Sequence, residues 1–137
     1  MTCYSENELI EFASDIARSL KGGEVFALVG ELGCGKTTFV KGLALGLGIG
    51  TTVTSPTFNL VHRYTGGRLA LVHFDLYRLE SPSEIEALDL DSELDGLGVI
   101  AIEWPQAAAL FLPQARTRWV RFREEGESGR SITLSTE

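Results

Sequence analysis

With 137 residues, 44% of them apolar, the chain is long enough for a core that needs neither disulfides nor a structural metal; a domain of this size buries roughly 68–70% of the surface its unfolded chain exposes. Twelve basic against 19 acidic residues leave a net charge of −7, which argues against a surface that grips nucleic acid directly, because phosphate neutralisation needs Lys and Arg. Cys3 and Cys34 lie far apart without metal-ligand spacing, so one domain over 1–137 in a reducing, cytoplasmic setting is expected.

Ser5-Glu6-Asn7-Glu8 reads as a capping box, after which Leu9, Phe12, Ala13, Ile16, Ala17 and Leu20 recur at helical spacing until Gly22-Gly23. The acids Glu6, Glu8, Glu11 and Asp15 in this stretch exclude the apolar core of a secretory leader. Glu24–Val29 is a short apolar run that predicts a buried strand. Beyond Lys36, the positions Phe39, Val40, Leu43, Ala44 and Leu47 predict a second helix stopped by Gly48. The uncharged stretch between Lys41 and His62 is broken by Gly46, Gly48, Gly50 and Pro56, so no membrane span is expected.

Asn59–Tyr64 and Leu69–Asp75 predict a hairpin around Thr65-Gly66-Gly67-Arg68. His62 and His73 alternate within its strands and are read as structural. Ser81-Pro82-Ser83-Glu84 is a second capping box with proline at the first helical position. Val99–Glu103 predicts another buried strand. Thr117–Arg123 and Arg130–Ser135 predict a closing antiparallel pair, with Arg116, Arg118, Arg121 and Arg123 as a basic stripe protecting an edge strand. This order of elements predicts a three-layer α/β sheet flanked by helices, of the P-loop NTPase kind, with a parallel core and antiparallel edge strands.

The segment Gly30-Glu31-Leu32-Gly33-Cys34-Gly35-Lys36-Thr37 matches G-x-x-x-x-G-K-[ST] in full, between a predicted strand and a predicted helix. Its glycines let the backbone wrap closely, so that the N–H groups from Glu31 through Gly35 point at phosphate oxygens. Lys36 is expected at the β- and γ-phosphates, Thr37 on Mg²⁺ through its hydroxyl, and Thr38 at the α-phosphate. Cys34 is either a thiol activated by the helix terminus or a small residue that fits the loop, and the second reading is preferred. Asp75 and Glu103 each end an apolar run. Either can hold Mg²⁺ directly or through water, and Glu103 can instead orient an attacking water. Thr54-Ser55-Pro56-Thr57-Phe58 lies where switch segments follow a phosphate loop. Ser55 or Thr57 senses the γ-phosphate there, or the segment is a plain turn into a strand. No Lys-x-Asp follows Lys21, Lys36 or Lys41, which favours ATP over GTP.

Four segments carry a resemblance: GELGCGKTTFVKGLALGLG (30–48), SPTFNLV (55–61), HFDLYRL (73–79) and IEWP (102–105). In order and spacing, over nearly the whole chain, they resemble the bacterial TsaE (YjeE) ATPases of tRNA threonylcarbamoyladenosine synthesis. The resemblance implies a Mg²⁺-dependent ATPase that binds ATP or ADP and acts with TsaB and TsaD, resetting that complex between turnovers. TsaD carries out the transfer, so tRNA is met only indirectly, in keeping with the acidic charge. The resemblance further implies that Lys36 and Thr37 belong to the phosphate loop, Asp75 and Glu103 to magnesium binding and hydrolysis, Thr57 to the switch, and Trp104 to the neighbourhood of the nucleotide. Cys34 stands where alanine is common in the family and Gln106 where an acid is frequent. Two rival readings are a small-molecule kinase, which needs an acceptor pocket and an arginine lid, and a nucleotide sensor with negligible turnover.

Overall fold

The computed structural model of the chain describes residues 1–31, 33–54, 56, 60–127 and 129–136. In chain order these form β1 (Thr2–Cys3), α1 (Glu6–Arg18), β2 (Val25–Val29), α2 (Lys36–Gly46), β3 (Val61–Tyr64), β4 (Leu71–Asp75), α3 (Pro82–Ala87), α4 (Leu90–Leu94), β5 (Val99–Glu103), a 3-10 helix (Pro105–Phe111), β6 (Thr117–Glu125) and β7 (Gly129–Ser135). The strands make one seven-stranded sheet in the order β1-β7-β6-β2-β5-β4-β3. β6, β2, β5 and β4 are parallel to their neighbours in that run, while β1–β7, β7–β6 and β3–β4 pair antiparallel. This is the three-layer α/β architecture expected from the order of elements.

β2 and β5 read as unbroken apolar runs because helices cover both of their faces. On one face, α1 and α2 close over Phe26, Leu28, Ala101, Val120 and Phe122; on the other, Val25, Val72, Phe74, Ile100 and Ile102 pack with residues of α3, α4 and the 3-10 helix. The approach of α1 to α2 is set by glycine. A Cβ on Gly42 would fall 2.6 Å from both Ala13 Cβ and Ile10 O, and one on Gly46 would fall 2.4 Å from Ser14 O. The two backbones therefore meet, and Phe39 of α2 reaches the rings of Phe26 and Phe122 at centroid distances of 6.0 and 5.9 Å.

The ends of α1 are closed by side chains. Ser5 Oγ accepts from Glu8 N at 3.2 Å, and Glu8 Oε2 accepts from Tyr4 N at 2.8 Å, one residue earlier than a strict capping box requires. At the other end the Arg68 guanidinium donates to Ala17 O at 2.8 Å and to Leu20 O, just past the helix, at 2.6 Å, adding a positive charge where the helix dipole favours one. The second expected capping box forms only in its acidic half: Glu84 Oε1 accepts from Glu80 N at 3.3 Å, while Ser81 Oγ donates to Glu84 Oε1 at 3.1 Å instead of accepting from a backbone N–H.

The arginine stripe is also placed differently from expectation. β6 lies inside the sheet, between β2 and β7, and the edge strands are β1 and β3. Along β6 the residues Val120 and Phe122 join the core, while Arg121 and Arg123 are exposed. Alternation of this kind records one wet face, which an interior strand can have as readily as an edge. Arg116, just before the strand, donates to Gly23 O at 3.0 Å and Leu94 O at 3.1 Å. Among the described residues no helix is long and apolar enough to cross a membrane.

Candidate functional site: a glycine loop facing two strand-end carboxylates

The loop from β2 into α2 leaves the carboxyl end of the central strand, where open α/β sheets place their ligands. Two of its glycines are required by different constraints. A Cβ on Gly30 would lie 2.5 Å from Cys34 Sγ, so the first turn of the loop has no room for a side chain. Gly35 caps α2 with φ of 108°, a left-handed conformation that favours glycine. Cys34 is buried beneath this turn. Burial pushes its thiol above the ordinary value, outweighing Lys36 and two backbone N–H groups that pull it down. That direction disfavours the thiolate and supports the reading of Cys34 as a small residue that fits.

Lys36 opens α2 and is buried. Its Nζ donates to Gly30 O at 2.6 Å and lies 3.4 Å from the centroid of the Trp104 ring. Burial lowers the Lys36 pKa from the ordinary lysine value, opposed by Cys34, Glu103 and Asp75. Thr37, the next residue, donates its hydroxyl to Glu103 Oε2 at 3.0 Å. Asp75 and Glu103 end β4 and β5 and stand opposite each other in register. Period-2 alternation then puts both on the sheet face that α2 covers, since Leu71 and Val99 of the same strands join that core. Asp75 Oδ1 also accepts from Tyr77 N at 3.0 Å.

Trp104 follows Glu103 with φ of 56° and ψ of 60°. A bulky residue rarely holds this left-handed backbone, and strain of this kind gathers at functional sites. Lys36 Nζ lies over its ring, and the Tyr77 ring packs against it, tilted by 55° at a centroid distance of 4.8 Å. Together these groups line a cleft of about 640 Å³ that includes Gly33, Cys34, Gly35, Lys36, Thr37, Thr38, Asp75, Glu103 and Trp104. Glu31 lines a second cavity of about 510 Å³ that shares Cys34 and Trp104 with the first. Leu32, Ser55 and Thr57 lie outside the described residues.

Sequence reasoning missed one end of the cleft and one partner of its carboxylates. Tyr4, Ser5 and Glu6 line the cleft together with Glu127 and Arg130, because β1 pairs with β7 across the whole length of the chain. No local pattern announces that pairing. His73, read as structural, is wholly buried with Nε2 2.6 Å from Glu103 Oε2. A histidine interrupting an apolar run two residues before a strand-end acid was the available signal.

A parallel strand running through a glycine loop into a helix, with lysine and threonine opening that helix opposite acids at strand ends, defines a P-loop-type α/β protein. The family model described as threonylcarbamoyl adenosine biosynthesis protein TsaE matches residues 3–132. The chain belongs to the TsaE family. It is 42% identical over 134 residues to the tRNA threonylcarbamoyladenosine biosynthesis protein TsaE of Borreliella burgdorferi, covering 96% of this chain and 95% of that protein. It is 40% identical over 137 residues to the protein of the same name from Treponema pallidum, covering 98% and 100%. The crystal structure of Bacillus subtilis YdiB superposes with a TM-score of 0.84 at 34% identity, over 98% of this chain and 82% of that one.

Proposed function

We propose that the chain is a Mg²⁺-dependent ATPase serving the threonylcarbamoyladenosine modification of tRNA in the cytoplasm, where it acts with TsaB and TsaD and resets their complex between turnovers. The observation that carries this reading is the hydrogen bond from Thr37 to Glu103. It ties the start of α2 to the end of β5 and sets the phosphate loop against the strand-end acids in one cleft. The large acidic excess supports indirect rather than direct contact with tRNA.

Mg²⁺ would rest on Thr37, Asp75 and Glu103. A hydroxyl and two carboxylates are the hard oxygen donors this ion takes, with phosphate oxygens and water completing its shell. Among the described residues no group of three or more His, Cys, Asp or Glu could hold a metal, so the ion would depend on the nucleotide for its remaining ligands. Bound there, it would neutralise charge on the nucleotide's phosphates. The protein's own groups supply the rest. Lys36 has three donors and gives one to Gly30 O, leaving two for phosphate oxygens. The backbone from Glu31 to Gly35 and the positive end of α2 hold the phosphates, with Thr38 at the α-phosphate. Glu103 orients the attacking water, Trp104 covers Lys36, and Thr57 senses the γ-phosphate.

Phosphate release from Mg-ATP by the purified chain, alone and then with TsaB–TsaD, tests the reading. Strong stimulation by the partners, absent in Lys36→Ala, is expected; turnover indifferent to the partners overturns the role in their complex. One observation favours a competing small-molecule kinase. The second cavity shares Cys34 and Trp104 with the first and is large enough for a metabolite acceptor. Against it, Arg118, Arg121 and Arg123, which such an enzyme needs on a lid, sit on strand β6. Phosphate transfer to a hydroxylated acceptor, without stimulation by TsaB–TsaD, would select the kinase.

A further inference from the structure

His73 stands in the middle of β4, on the face covered by α2, with no exposed surface. Ala101 is its register partner on β5. A methyl group at that position leaves the imidazole room to reach diagonally, past Ala101, to the residue two further along the strand. That residue is Glu103, and Nε2 meets its Oε2 at 2.6 Å. The same oxygen accepts the Thr37 hydroxyl at 3.0 Å. Among the described residues, Oε1 of Glu103 has no hydrogen-bond partner, and Glu103 lines the cleft.

Packing alone does not account for a histidine here. A carboxylate oxygen accepts and cannot donate, so the ring hydrogen belongs on Nε2. Among the described residues Nδ1 is then left buried without a hydrogen-bond partner, an arrangement that costs stability. Phenylalanine or leucine would fill the same space with no orphaned atom. What histidine adds is the donor aimed at Glu103.

We propose that His73 is the positioning residue of Glu103. Its Nε2–H, together with the Thr37 hydroxyl, engages Oε2, fixes the rotation of the carboxylate and leaves Oε1 as the oxygen that works in the cleft. The two donors are not equivalent. Thr37 sits in the first turn of α2 and its hydroxyl is also assigned to Mg²⁺, whereas His73 holds the carboxylate from within the sheet. Because Asp75 lies two residues further along β4, one strand segment sets both acids. This inference rests on the reading of Glu103 as the hydrolytic carboxylate.

The test compares His73→Phe, which keeps the volume and removes the donor, with His73→Gln, whose amide N–H reaches about as far as Nε2. Three quantities are measured on the full chain with TsaB–TsaD: turnover and KM for Mg-ATP, the Mg²⁺ dependence of binding of a fluorescent ATP analogue, and thermal denaturation. His73→Phe is expected to fold and to bind the analogue, but to need more Mg²⁺ and to lose about 10–100-fold in kcat with little change in KM. His73→Gln should recover most of that loss. Long-range ¹H–¹⁵N correlation of the wild-type protein without metal should show His73 protonated at Nε2, a readout that survives even if His73→Phe does not fold. Wild-type kcat in His73→Phe, a glutamine variant as slow as the phenylalanine one, or a ring protonated at Nδ1 alone overturns the proposal. Glu103→Gln is run alongside. Normal turnover in that variant removes Glu103 from hydrolysis, while the imidazole tautomer still decides whether His73 donates to it.

Discussion

The loop wall of the cleft is held by backbone: Gly30 and Gly35 shape it, and α2 behind it is pinned to α1 through Gly42 and Gly46. The opposite wall is held by side chains, with Glu103 taking hydrogen bonds from Thr37 and His73, and Trp104 kept in a left-handed conformation beside Lys36. A wall made of backbone defines where anionic oxygens sit and tolerates the loss of most single polar groups. A wall made of side-chain hydrogen bonds can lose its reactivity while binding stays intact. The two should therefore fail differently when damaged.

Lys36→Met should produce the largest effect, since it removes the ammonium proposed to hold the phosphates. ATP binding measured by calorimetry should vanish, yet the protein should melt at or above the wild-type temperature. Burial disfavours the Lys36 ammonium, so an apolar replacement removes a destabilising charge from the fold. Wild-type ATP affinity in this variant would break the assignment of the loop wall. Glu103→Gln comes next: turnover should fall by about 10²–10⁴-fold while nucleotide affinity changes little. Equal loss of both would mean the two walls are not separable. Gly42→Leu strikes behind the loop, and overpacking against Ala13 and Ile10 should cost about 1–3 kcal/mol in denaturant titration. Arg68→Ala, which uncaps α1, should cost about 1 kcal/mol in the same assay.

The smallest effect is expected at the far end of β2. Burial raises the Glu24 pKa, but backbone N–H groups, those of Lys21 and Gly22 among them, together with Arg118 outweigh it, so the carboxyl lies below its ordinary value of 4.5. A carboxylate depressed on folding contributes stability that is complete above the unfolded pKa and is lost as pH falls through the folded one. Glu24→Gln should thus melt slightly below wild type at neutral pH, and the gap should close as pH falls below about 4.5. A gap that persists in acid would assign the effect to packing.

The placement of the loop wall was legible because its pattern is local: the glycine segment is flanked by a strand and a helix that each announce their own period. β5 was legible to the residue, since a strand covered on both faces is an unbroken apolar run ending where the acid begins. β6 was found as a strand but placed at an edge, because alternation encodes a wet face and not a neighbour. The contact of His73 with Glu103 depends on the register of β4 against β5, and the lining supplied by Tyr4 and Arg130 depends on pairing between the two ends of the chain. Neither register nor distant pairing leaves a period in the sequence.

The packing of Trp104 against an ammonium and a phenol also has an optical consequence. One of the chain's two indoles carries a positive charge 3.4 Å above its ring and a tyrosine on its flank. An anion that draws the Lys36 Nζ away changes the field across that chromophore, and its emission should change with it. The protein thus contains its own dye, read without labels, for the position of a single lysine.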